Sequence, residues 1–203
     1  IIKERQFSKY SVIGEVCFWK IFTKKDPHSA TNRILNHIKY RENFLKFCSA
    51  LDSLSCYRTL ESFKKFRFTC GQPNGFAIPI TFLSFYNPDK YPMADAVIAD
   101  WWNKNKKRFG YHESADFEPQ GMISGYPDKI ENNWNAYTTW TDFCQEYSKI
   151  LSTRSKSCWR ARDVEMAIFF NHRKGNFKLS SFEESDSLLQ IDDDRGELKN
   201  SYI

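Results

Sequence analysis

The stretch that decides the fold runs Cys70-Gly71-Gln72-Pro73-Asn74-Gly75-Phe76-Ala77-Ile78-Pro79-Ile80-Thr81-Phe82-Leu83-Ser84-Phe85-Tyr86, then through Asn87-Pro88 to Pro92-Met93-Ala94-Asp95-Ala96-Val97-Ile98. Asn74-Gly75 is a turn pair, and Gly71 and Gly75 let the backbone take positive φ and approach a ligand closely. Phe76 to Tyr86 is apolar nearly all round, which predicts a central buried helix, with Pro79 tolerated in its first turn. Asn87-Pro88 ends that helix. Asp95 then stands before Ala96-Val97-Ile98, where an aspartate caps a new helix. A helix starting just after Gly75 offers unpaired N–H groups to an anion, and Lys64, Lys65 and Arg67 upstream supply charge for a phosphate backbone.

Outward from this segment the pattern stays helical. Ser29 to Leu51 carries Ile34, Ile38, Leu45, Cys48 and Leu51 on one broad face, which predicts one long helix capped at Ser29 or Thr31. Thr59 to Phe66 reads as a short helix on Leu60, Phe63 and Phe66. Tyr137, Trp140, Phe143, Cys144, Tyr147 and Leu151 give the cleanest amphipathic spacing, and Trp159, Val164, Ala167 and Ile168 mark another helix. Ser11 to Phe22 fits helix or strand equally, and Arg108 to Lys129 has no clear period. The prediction is one helical domain over 1–182, with room for two lobes, and a flexible acidic tail over 183–203.

The 203 residues and 41% apolar content, with 18 Phe, 10 Tyr and 6 Trp, suffice for a sizeable core. No apolar run approaches the ~20 residues of a membrane helix. The chain opens on Ile1 without a signal-peptide pattern, as a trimmed fragment would. The six cysteines are scattered, with none of the spacings of a zinc or iron–sulfur site, so no metal and no cofactor are expected. All but Cys70 adjoin an aromatic residue, as buried free thiols in a reducing, intracellular compartment do. The net charge of +5 divides unevenly: seven acidic residues against Arg195 and Lys199 give the tail −5, leaving +10 on residues 1–182. A positive body suits a polyanion partner, although surplus surface lysines read the same way.

Hairpin, buried helix, proline-marked turn, aspartate and new helix, in that order, resemble the core of the helix-hairpin-helix base-excision DNA glycosylases. Gly75-Phe76-Ala77 stands at the family's Gly-x-Gly, with alanine for the second glycine, and Thr81 stands where the family usually has alanine. Met93-Ala94-Asp95-Ala96-Val97 matches the aspartate segment, and Trp159 to Ile168 is similar to a late helix of poorly characterised relatives. The order of elements covers about residues 29–172, and the specific motif only 71–98.

The resemblance implies an all-α, two-lobed helical bundle with a helix-hairpin-helix motif, acting as a monomer on double-stranded DNA that contains a damaged or mispaired base, in the cytoplasm or the nucleus or nucleoid. It gives Asp95 the catalytic role and makes Gly71, Asn74, Gly75, Phe76 and Ala77 the DNA clamp. An ionised carboxylate can stabilise positive charge at the anomeric carbon as the N-glycosidic bond breaks. Pro79 falls where bifunctional members carry a nucleophilic lysine, and Lys90 lies in the turn, so the expected nucleophile is water and the enzyme monofunctional.

A flipped base needs an aromatic slot. Trp101, Trp102, Trp134 and Tyr137 are the candidates for the base pocket; adjacent Trp101 and Trp102 are expected to leave one ring partly exposed or lining a cleft. Lys104, Lys106, Lys107 and Arg108 read as a solvated helix end or as phosphate contacts. Arg162 and Asp163 read as an ion pair or a cap, and Asp100 as a like charge near Asp95. Two other functions fit the sequence: a non-catalytic DNA-binding module on the same fold, and a helical protein-interaction domain. An Asp95 that opens on a cleft beside the 71–77 turn favours the enzyme; one that only caps a buried helix favours the interaction domain.

Overall fold

The computed structural model describes residues 11–18, 27–73, 75–118 and 129–173. They are all-helical, with no strand among the described residues. In chain order the helices are α1 (11–18), α2 (Pro27–Ile38), α3 (Arg41–Tyr57), α4 (Leu60–Thr69), α5 (Ala77–Tyr86), α6 (Ala96–Asn105), α7 (Ile130–Ser155) and α8 (Ala161–Arg173); a 3-10 turn, Lys106–Phe109, follows α6. The tail from Glu183 onward, Asn74, and 119–128 within the predicted long connection lie outside the described residues.

The single helix predicted over 29–51 is two helices. Tyr40 takes an extended backbone (φ −87°, ψ 136°) as the N-cap of α3, and Asn43 donates its amide N–H to the His37 carbonyl at 2.9 Å, capping the end of α2. Phe44, Phe47, Leu51 and Leu54 are buried, whereas Leu45, predicted to be on the apolar face, is exposed. No Gly or Pro marks the break. Elsewhere local chemistry explains the boundaries. Thr59 and Ser62 form a reciprocal capping box at the start of α4. Pro79 is the third residue of α5, where its missing N–H costs nothing. Gly110 (φ 84°) closes the 3-10 turn.

Buried side chains from Val12 to Phe169 form one hydrophobic cluster. Phe47, Phe66 and Phe82 join α3, α4 and α5, with ring centroids 5.2–6.0 Å apart. Phe143 of α7 gathers Trp101, Trp102, Phe109, Trp140 and Tyr147 within 6.1 Å. The α4–α5 turn and the α5–α6 turn, which hold the decisive sequence, both rest on this core.

Candidate functional site

In the α4–α5 turn, Gly71 is in the left-handed region (φ 70°), and a Cβ there would lie 3.0 Å from the His37 Cβ. Its freedom serves the close approach of α2. Gly75 does not have positive φ: among the described glycines only Gly71 and Gly110 do. Of the two glycines read as permitting positive φ, Gly71 alone uses it. Arg67, grouped with the phosphate-binding cations, is 3% exposed. Its Nε donates to the Gly75 carbonyl at 2.9 Å and its guanidinium also bonds the Pro73 carbonyl, so it shapes the turn from inside. Lys64 and Lys65 are exposed on the outer face of α4. Gly75 and Phe76 are buried, Ala77 is half-buried, and no side chain caps α5 at Phe76. Asn74 lies outside the described residues.

Asp95 is half-buried and caps α6 with one oxygen: Oδ1 accepts from Val97 N at 2.9 Å and Ile98 N at 3.0 Å. The approach to Asp95 is held by hydrogen bonds to three other helices. Tyr91 donates its hydroxyl to the Ser55 carbonyl of α3 at 2.7 Å. On α7, Tyr137 donates to the Pro92 carbonyl at 3.0 Å and Trp140 donates its indole N–H to the Met93 carbonyl at 2.9 Å. From α8, the Glu165 carboxylate accepts from Met93 N at 3.3 Å. Tyr91, Met93, Tyr137, Trp140 and Glu165 are all at most 4% exposed. Tyr137 also links the two turns, because its ring lies 6.1 Å from that of Phe76.

Behind Met93, Arg162 is ion-paired with Glu165, and its guanidinium sits 5.6 Å from the Phe85 ring centroid. Burial pushes Arg162 down to about 10, against the upward pull of the Asp163 and Asp95 carboxylates. It therefore stays a cation at neutral pH. Asp163 takes the cap: its carboxylate accepts from Arg160 N at 2.9 Å and pairs with the Arg160 guanidinium. Asp100 is turned toward Lys104 (2.8 Å) and His172 (2.9 Å), both of which hold its carboxyl below the usual range.

The four base-pocket aromatics are core residues. Trp102 is fully buried against Tyr111, Trp140 and Phe143, Trp134 stacks on Phe63 at 4.7 Å, and Tyr137 is fully buried. Trp101 is 1% exposed, so neither tryptophan of the pair is exposed, and of the two expected outcomes it is the lining of a cavity that Trp101 meets. Trp101 and Trp102 both pack on Trp140 and Phe143 of α7, so one broad face of α6 takes both rings. Trp101 does wall a cavity of about 90 Å³ with Phe109, Phe143, Tyr147, Trp159 and Ile168. Three surface depressions lie between α1, α2 and α3, beside Phe18 and Phe85, and around Gly110 to Ser114. Asp95 is in the wall of none of these four; its cap bonds to Val97 N and Ile98 N are the arrangement that the interaction-domain reading expects, and the cleft beside the 71–77 turn expected for the enzyme is not among them.

The basic run is dispersed as well. Lys104 pairs with Asp100. Lys106 is 3% exposed and pairs with Asp116 at 2.8 Å, while Lys107 and Arg108 are exposed. Cys56 and Cys158 are exposed, against the expectation that every thiol is buried; Cys17, Cys48, Cys70 and Cys144 are buried. Among the described residues no group of three or more acidic, His or Cys side chains could hold a metal, and no helix is long and apolar enough to cross a membrane.

Glu165 and Tyr91 are the site residues that sequence reading missed. A signal for Glu165 was present: Ala161, Val164 and Ile168 follow the i, i+3, i+7 pattern of a buried stripe, and Glu165 occupies its i+4 slot. No protein-family model, curated protein or solved structure matches this chain.

Proposed function

We propose that this chain is a DNA-binding, monofunctional base-excision glycosylase in which Asp95 is the catalytic carboxylate. The observation that carries the reading is the way Asp95 is presented. One carboxylate oxygen is spent on two cap bonds, the residue is half-buried, and the backbone before it is fixed on both faces by buried donors and acceptors. Catalysis at a sugar requires a carboxylate held within a fraction of an ångström by groups that are themselves locked by packing. The helix N-terminus favours the ionised form, which is the form that stabilises an oxocarbenium-like transition state and orients water. Exposed Lys64 and Lys65 flank the α4–α5 turn as phosphate contacts. In this reading the helices form the two-lobed arrangement of that enzyme class, and the substrate is duplex DNA with a damaged or mispaired base.

A second reading, a non-catalytic DNA-binding module, is favoured by the burial of Trp102, Trp134 and Tyr137, which leaves the base slot unassigned. Single-turnover incubation with duplexes bearing uracil, alkylated purines, oxidised guanine or mismatched adenine separates the two. The enzyme releases one class of base and gives no borohydride-trapped adduct. The module binds with a steep salt dependence and releases none.

A further inference from the structure

We propose that Arg162 and Glu165 form a buried charged brace that positions Asp95 from behind, through the Met93 backbone. The inference rests on the catalytic reading of Asp95 given above. Both side chains project from the first turns of α8 and are 7% and 1% exposed. They are paired with each other. Glu165 then uses the pair's anionic end to accept from Met93 N, two residues before the Asp95 cap, at 3.3 Å. Arg162 rests its cationic face on Phe85, near the end of α5.

The brace is anchored to the same turn along its length. Arg162 N donates to the Pro88 carbonyl at 3.1 Å and Ala161 N to the Asp89 carbonyl at 3.3 Å. The first N–H groups of α8, which have no partner within their own helix, are thus satisfied by the turn that leads to Asp95. One helix end therefore grips the 88–93 chain at three backbone positions, and α7 grips the Pro92 and Met93 carbonyls from the other side.

The electrostatics suit positioning. A buried ion pair is a poor source of net stability, since apolar replacements of similar volume are often neutral or better. What it supplies is direction: a carboxylate acceptor aimed at one backbone N–H, and a cation whose field reaches Asp95. An apolar pair in the same space would pack as well and leave Met93 N without its acceptor. Arg162 and Glu165 touch no substrate in this account; they are positioning residues.

The test compares wild type with Glu165→Gln, Arg162→Lys and the apolar double replacement Arg162→Met with Glu165→Met, which keeps the volume and avoids a lone buried charge. Two readouts are taken. The first is amide hydrogen exchange at Met93, Val97 and Ile98 relative to Leu51 in the core of α3. The second is the single-turnover excision constant and the duplex Kd, on the duplex that wild type cleaves. The double variant is expected to exchange at Val97 and Ile98 about fivefold faster, the equivalent of losing a cap. It is expected to excise at least about tenfold more slowly, with Kd within about twofold. Arg162→Lys is expected to recover most of both.

Wild-type exchange at Val97 and Ile98 in the double variant, with Leu51 unchanged, overturns the brace. So does wild-type excision in that variant. If Glu165→Gln does not fold, the double variant decides. If wild type releases no base, the glycosylase reading fails by that result, and the exchange ratios alone decide the brace.

Discussion

Trp140 donates its indole N–H to the carbonyl of Met93 at 2.9 Å, and this bond ties the middle of α7 to the chain two residues before Asp95. Both partners are buried, so neither can exchange the bond for water. Replacing Trp140 with Phe keeps an aromatic ring and removes the donor. The orphaned carbonyl and lost ring volume are expected to cost about 1–3 kcal/mol in urea denaturation. A Trp140→Phe protein as stable as wild type would mean that the loop finds another donor.

Asp95 has a cap role that can be separated from any chemistry. Asp95→Ala removes the acceptor for Val97 N and Ile98 N and is expected to lower stability by about 1 kcal/mol. Asp95→Asn retains a side-chain oxygen, and asparagine caps about as well as aspartate, so its stability stays within about 0.5 kcal/mol of wild type. Equal losses in the two variants would contradict the cap geometry.

The two glycines of the α4–α5 turn respond differently. Gly71→Ala imposes a Cβ in the left-handed region and against His37, and is expected to destabilise by more than about 1 kcal/mol. At Gly75 the backbone is ordinary and the nearest atom to an added Cβ is 3.6 Å away. Gly75→Ala is therefore tolerated, within about 1 kcal/mol of wild type and in the stabilising direction. If the turn approaches a phosphate closely at Gly75, duplex affinity falls in this variant while stability does not, which a salt-controlled binding titration reads directly.

The cap of α8 has a pH signature. Hydrogen bonds and charge from Arg160 hold the Asp163 carboxyl below the ordinary aspartate value. A folded value lower than the unfolded one contributes stability that is complete above the unfolded value, about 3.9, and is lost as pH falls through the folded value. Asp163→Asn is expected to be about 0.5 kcal/mol less stable at pH 7, since solvent screens the exposed Arg160 partner, with the difference shrinking as pH falls below ~4. A difference that persists undiminished in acid would show that the carboxylate charge contributes nothing.

The helical class and most helix positions were legible because apolar period and caps coincide: Thr59, Asp95 and Pro79 stand where the helix starts need them. The break at Tyr40 was not legible, since no Gly or Pro marks it and Asn43 closes α2 through a bond to His37. The surroundings of Asp95 were half legible. Its cap is local, but the groups that hold its loop, Trp140 and Glu165, are 47 and 72 residues from Met93 in sequence. Trp101 and Trp102 are both buried because adjacent positions, about 100° apart on a helix, fit within the one broad face of α6 that packs on Trp140 and Phe143. Arg67 was read by charge alone, whereas two turn carbonyls draw it inward.

The role of Asp95 is tested by single-turnover base release by wild type and Asp95→Asn on the same lesion-bearing duplex, with the Kd of each determined in parallel. Asp95→Asn is expected to bind the duplex as wild type does and to lose at least about a hundredfold in the excision constant, because a neutral amide cannot stabilise the developing sugar cation. Wild-type rates of release in Asp95→Asn would contradict the catalytic role.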